Sequence, residues 1–187
     1  MVVRQRRRAF TLMEVLMVMA VMVMFAALSY PALDSLYVGV KVEAASDSVH
    51  AAWSEAQARA VNEGRPYRFS VVPGKGNYRV APDSSEFWSG GGAPAPDDPE
   101  NPPLVLQQSM PKGIVFTREG ERPGPADGET SLPDDKVPPG QWVTTAVFLP
   151  DGTAQDDVDI ILHMDDARPI TLHLRSLTGV ISVQRGE

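Results

Sequence analysis

The sequence predicts an α+β protein in which one long N-terminal helix, membrane-spanning in its first half, packs against antiparallel β-sheets. Three observations predict it. Residues 10–30 carry a single charge, Glu14, in an otherwise apolar run. Apolar residues then recur at spacings of three and four as far as Gly64. Beyond Gly64 the chain breaks into short β-type runs punctuated by Gly, Pro and Asp. The chain therefore divides into a basic leader (1–9), a membrane half-helix (10–30), an amphipathic half-helix (31–63) and a β-rich head (64–187).

The membrane half comes first. A helix of about 21 residues rises roughly 31 Å, enough to cross a hydrocarbon core. Arg4, Arg6, Arg7 and Arg8 precede it with no acid among them. Basic flanks stay cytoplasmic, which places the head outside the cytoplasmic membrane as a single-pass protein. Pro31 cannot donate a helical hydrogen bond and marks a site for a kink. The amphipathic half follows, with Leu33, Leu36, Tyr37, Val40, Ala44, Val49, Ala52, Trp53, Ala56 and Ala60 as its apolar face. Asn62-Glu63-Gly64 ends it, Gly64 standing just past the last turn.

The head reads as three hairpin-like pairs and two single strands. Residues 67–72 and 77–80 flank Pro73-Gly-Lys-Gly76, a turn without the following helix that a phosphate loop requires. Residues 104–106 and 113–117 form the second pair, and 158–164 with 169–175 the third. The single strands are 142–149 and 179–184. Residues 84–103 and 118–140 are rich in Pro, Gly and acids and read as loops, mobile or contacting a partner. Phe87-Trp88 is the feature that favours contact.

Glu14 demands an explanation. A carboxylate within a span costs about 2.5–3.5 kcal/mol on insertion scales. Three readings of the N-terminus stay open. A cleaved secretory signal has a basic start and an apolar core, and residues 26–30 offer small residues for its cleavage. A plain anchor also fits, but leaves Glu14 unexplained. Cleavage between Ala9 and Phe10 would place a new α-ammonium one helical turn before Glu14, on the same chain or a packed neighbour, and turn the acid into a docking group.

Phe10-Thr-Leu-Met-Glu14-Val15 resembles the signal of type IV prepilins and type II secretion pseudopilins. The resemblance implies a prepilin peptidase that cuts after Ala9 and methylates Phe10, with Glu14 as the assembly acid. Leaders of that family end in Gly; Ala9 stands in that place here. Further on, residues 148–152 (Phe-Leu-Pro-Asp-Gly), Ile160-Ile-Leu162, Arg168-Pro-Ile-Thr-Leu172 and Thr178-Gly179-Val180 resemble the GspH/FimT branch. The resemblance implies a pilin-like fold and a minor subunit of a pseudopilus or type IV pilus, partnered by other pilin-like subunits through the helix. The alternatives are an exported, membrane-anchored binding protein, or a minor pilin for DNA uptake.

Composition narrows the chemistry. The chain has no cysteine and a net charge of −7. The four leader arginines leave 13 basic against 24 acidic residues, or −11, for the processed chain. An acidic head lacking a basic patch beyond Arg175 and Arg185 is a poor nucleic-acid surface, and none is expected as a partner. His163 and His173 face each other across the third hairpin on this reading, but have no third ligand at metal spacing. His50 stands apart from both. Asp151, Asp156, Asp157 and Asp159 lack the spacing of a calcium loop. No metal, cofactor or catalytic residue is expected, and the chain is read as a non-enzyme.

Overall fold

The computed structural model describes residues 11–91, 102–117, 132, 137–165 and 167–186, with the side chains of 28–36 excluded. Two compact units divide the chain between Tyr37 and Val38. The leader, Ala9 and Phe10 lie outside the described residues, as do 92–101 and most of 118–136.

Helix α1 spans Leu12–Glu63, 52 residues. In the first unit its described side chains other than Glu14 are apolar on every side, from Leu12 (79% exposed) to Phe25 (68%). A helix with no polar face calls for a surrounding other than water. Among the described residues no helix is long and apolar enough to cross a membrane. The expected span, 10–30, begins before these residues, and its side chains from 28 on lie outside them.

In the second unit α1 buries Val42, Ala45, Ser46, Val49, Ala52, Trp53, Ala56 and Ala60. This corrects the first part of the expected apolar face. Tyr37 and Val40 are about three-fifths exposed, and Ala44 is exposed. From Ala44 to Val49 is a step of five, so the residues before it lie on a different face from those after it. The buried stripe instead extends back through Ala45 and Val42. Gly64 ends the helix at φ 64°, the left-handed turn that glycine adopts without a side-chain clash.

Beyond the helix, strands β1 (Tyr67–Val71) and β2 (Asn77–Pro82) form the expected hairpin, Phe69 opposite Val80. A short helix α2, Ser85–Trp88, follows within the expected loop. The next strands are β3 (Leu106–Ser109), β4 (Ile114–Thr117), β5 (Val143–Phe148), β6 (Val158–Met164), β7 (Ile170–Leu174) and β8 (Ile181–Arg185). They form two antiparallel four-stranded sheets, ordered β3-β2-β1-β5 and β4-β6-β7-β8.

The second expected hairpin does not form. β3 pairs with β2, whereas β4 pairs with β6 in the other sheet. Both sequences suit a strand, and the link between them is short, so pattern alone favoured a hairpin. The burial differs: β4 is buried along its whole length, and β3 is a half-exposed polar edge, Leu-Gln-Gln-Ser. The link Met110–Gly113 therefore carries the chain from one sheet to the other. The third hairpin, β6 with β7, forms as expected, and β8 closes the second sheet against β7.

An aromatic cluster joins the layers. The Trp53 ring meets Phe69 edge-on at 5.7 Å and Phe148 at 6.3 Å. Phe69 stacks on Tyr78 at 5.7 Å, and both meet Phe116 of the second sheet. Such pairs add about 0.5–1.5 kcal/mol each beyond area burial. Backbone bonds reinforce the join: Phe116 donates to the Lys75 carbonyl at 3.0 Å, and Gly74 donates to the Phe116 carbonyl. At the helix exit, the buried Tyr67 donates its hydroxyl to Glu63 (2.8 Å) and accepts the Leu104 N–H (3.0 Å). Arg59 and Arg65 hold the same Glu63 carboxylate.

Burial, reinforced by Glu63, pushes the Tyr67 phenol up to about 12. A folded-state pKa above the unfolded value near 10 gives stability that is complete below pH 10 and lost as pH rises toward 12. Thermal melting across that range is expected to show an alkaline loss that Tyr67→Phe diminishes. Trp53→Ala is expected to cost about 3–5 kcal/mol in denaturant unfolding, because no neighbour can fill the cavity between helix and sheets.

Candidate functional site

At the start of α1, Thr11 acts as the cap. Its Oγ1 accepts the Glu14 N–H at 3.3 Å, and its carbonyl accepts the N–H groups of Glu14 and Val15 at 3.1 and 3.2 Å. Thr11-Leu-Met-Glu14 has the Thr-x-x-Glu spacing of a capping box, a local signal independent of the charge pattern. Glu14 is exposed in the first turn, where the positive end of the helix dipole favours an acid. Two local causes thus place this carboxylate before any partner is considered. Ala9 and Phe10, the other expected processing residues, lie outside the described residues.

Two of the C-terminal segments that carried a family resemblance, 148–152 and 178–180, meet at one clasp. Phe148 is fully buried against Trp53. Immediately after it, Leu149–Thr153 turns the chain, with Gly152 at φ 85°. Asp151 Oδ1 accepts both the backbone N–H (3.0 Å) and the hydroxyl (2.6 Å) of Thr153. These bonds hold its carboxyl below the usual range. From α1, Gln57 Nε2 donates to the carbonyls of Gly152 (2.7 Å) and Gly179 (3.2 Å). A Cβ at 179 would lie 2.2 Å from the Gly152 oxygen, and Gly179 already sits at φ 61°. Only glycine permits both the turn and the close approach. Gln57 was missed because a lone Gln on a helix carries no motif.

Most polar residues weighed for chemistry have structural partners. Asp157 accepts the Ser176 N–H at 2.6 Å, which lowers its pKa. Asp159 contacts His173 Nδ1, its cross-strand neighbour. His163 lies opposite Val115 on β4 and 3.7 Å from Asp165, so it does not face His173 across the hairpin. Asp159, His173 and Ser182 stand in one row across β6, β7 and β8, lining a groove of about 420 Å³ with Arg175 and Gln184. Among the described residues no hydrogen bond joins Ser182 to His173, so the row lacks the link between nucleophile and base that acyl chemistry needs. Arg185 pairs with Glu43 of α1.

Phe87 and Trp88, the feature that favoured a partner contact, are half-buried over arginines of the first sheet. The Arg79 guanidinium lies 4.4 Å from the Trp142 ring centre, 5.3 Å from Phe87 and 5.7 Å from Trp88. Burial pushes the Arg79 pKa down. Trp88 Nε1 donates to the Pro82 carbonyl at 3.0 Å.

A capped apolar helix behind a basic leader, in one chain with a head of two antiparallel sheets on a helix, is a pilin-like architecture. The comparisons agree. Residues 4–30 match the model of the prokaryotic N-terminal methylation motif. The fold is shared with the minor pseudopilin EpsH of the type 2 secretion system of Vibrio cholerae, at 9% identity and a TM-score of 0.50 over 78% of this chain and 97% of that one. A second structure of EpsH aligns at 12% identity and a TM-score of 0.46, covering 80% of this chain and 98% of that one. No curated protein matches the chain.

Gly179→Ala is expected to destabilise the head by about 1–3 kcal/mol, from backbone strain at a left-handed residue. Gln57→Ala is expected to cost about 1–2 kcal/mol, since two turn carbonyls lose a donor. Denaturant midpoints measured at constant slope check both.

Proposed function

We propose that this chain is a minor pilin-like subunit of the GspH/FimT type, built into a pseudopilus or type IV pilus. Prepilin peptidase cuts between Ala9 and Phe10 and methylates Phe10. Residues 10–30 anchor the subunit in the cytoplasmic membrane with the head outside. Assembly then draws the helix among those of neighbouring pilin-like subunits.

The observation that carries this reading is the placement of Glu14. The helix dipole returns about 0.3–1 kcal/mol to an acid in the first turn. Insertion of a carboxylate costs about 2.5–3.5 kcal/mol at the centre of a span, and less near its end without becoming free. The local benefit falls short, so the acid needs a cation. The basic leader ends one turn earlier, and removing it would create one at Phe10. The match of residues 4–30 to a methylation motif supports that chemistry, and the pseudopilin fold supports the destination.

Mass spectrometry of the mature protein is expected to find N-methyl-phenylalanine, residue 10, as the first residue. A start near Ser29 would instead support an exported protein with an ordinary signal. Glu14→Ala is expected to leave membrane insertion intact and to reduce co-purification with sheared filaments at least about tenfold, the scale of one lost charge pair in a low-dielectric setting. Normal incorporation of this variant would sink the pairing.

A further inference from the structure

Five of the chain's eight methionines fall within residues 12–25: Met13, Met17, Met19, Met22 and Met24. Each is 60–76% exposed on α1. Met13, Met17 and Met24 share one helix face; Met19 and Met22 lie on the opposite one. Met17 and Met22 also border an apolar depression with Phe25. The remaining described methionines differ sharply: Met110 is 4% exposed, and Met164 is partly buried against the core. Leucine or valine would supply the same apolarity. What methionine adds is a flexible side chain and an oxidisable sulfur.

We propose that these five methionines are a reversible oxidation site for peroxides, at which sulfoxide formation disables the apolar helix. In each reaction the thioether sulfur gives up two electrons and the peroxide O–O bond breaks. One oxygen becomes the sulfoxide oxygen, and the other leaves as water. Beyond the first turn, at residues 17–24, the product is a strong acceptor among backbone N–H groups that the helix already bonds. Because sulfur occurs on both faces, no rotation of the helix hides every sulfoxide from lipid or from a packed neighbour. Each unpartnered polar group taken out of water costs on the order of tenfold in partition, so several together eject the segment. The inference rests on the anchoring role of residues 10–30 proposed above.

The full-length chain in detergent micelles is treated with hydrogen peroxide, and sulfoxides are mapped by peptide mass spectrometry. Treated and untreated chains are then reconstituted with phosphatidylcholine vesicles and floated. The expected result is oxidation of residues 13–24 ahead of Met110, with at least a tenfold fall in the vesicle-bound fraction. Methionine sulfoxide reductases with a thiol restore binding, and the variant with all five changed to Leu floats with or without peroxide. Treated chain that floats as well as untreated overturns this proposal alone. So does peroxide-dependent loss in the five-Leu variant, which would trace the effect to another residue. Untreated chain that fails to float overturns the anchoring reading, and this proposal with it.

Discussion

Trp53 links the layers of the head. Its indole lies on the buried stripe of α1, meets Phe69 and Phe148 of the first sheet, and through Phe69 reaches Phe116 of the second. Among the described residues α1 is the one long helix on which the sheets organise. The small residues around the tryptophan, Ala45, Ala52, Ala56 and Ala60, are nearly free of solvent and let the strands approach the helix axis closely. Once the aromatic cluster is in place, the strand registers follow, because a one-residue slip would turn Phe69, Tyr78 or Phe116 out of the core.

The clasp at Gln57 lies one turn further along the same helix. It binds the turn after β5 and the turn before β8, which lie far apart in sequence, to one amide group. The two glycines it contacts are the residues that gave the C-terminal resemblance its shape. Their physical reason is now visible: positive φ at both, and at Gly179 a backbone oxygen where a side chain would stand. The polar outer faces are settled in a similar way. Of the acids weighed as a ligand cluster, Asp151, Asp157 and Asp159 satisfy a neighbouring N–H or imidazole, and the aromatic pair of α2 shields two arginines on the first sheet.

The first turn of α1 follows a different logic. Glu14 is held by the cap at Thr11 and favoured by the dipole, yet these gains are small beside the cost of a carboxylate in lipid. On the proposed reading, the gap between the two magnitudes ties a local helix signal to processing and assembly. The same argument makes the surrounding methionines consequential: a segment tuned to hold one anion at its very end tolerates little added polarity in its middle.

Sequence by itself determined the long helix and its end at Gly64, the hairpins β1–β2 and β6–β7, and the N-terminal motif. All of these rest on spacings within one segment, where side-chain periodicity and turn chemistry act locally. Only the tertiary structure decided which stripe of α1 is buried, that β3 and β4 belong to different sheets, and that Gln57 joins two distant turns. Periodicity fits two stripes of the helix equally well before and after residue 44, and strand propensity does not name a partner. Those choices are made when the sheets meet the helix around Trp53, where burial and backbone pairing must be satisfied together.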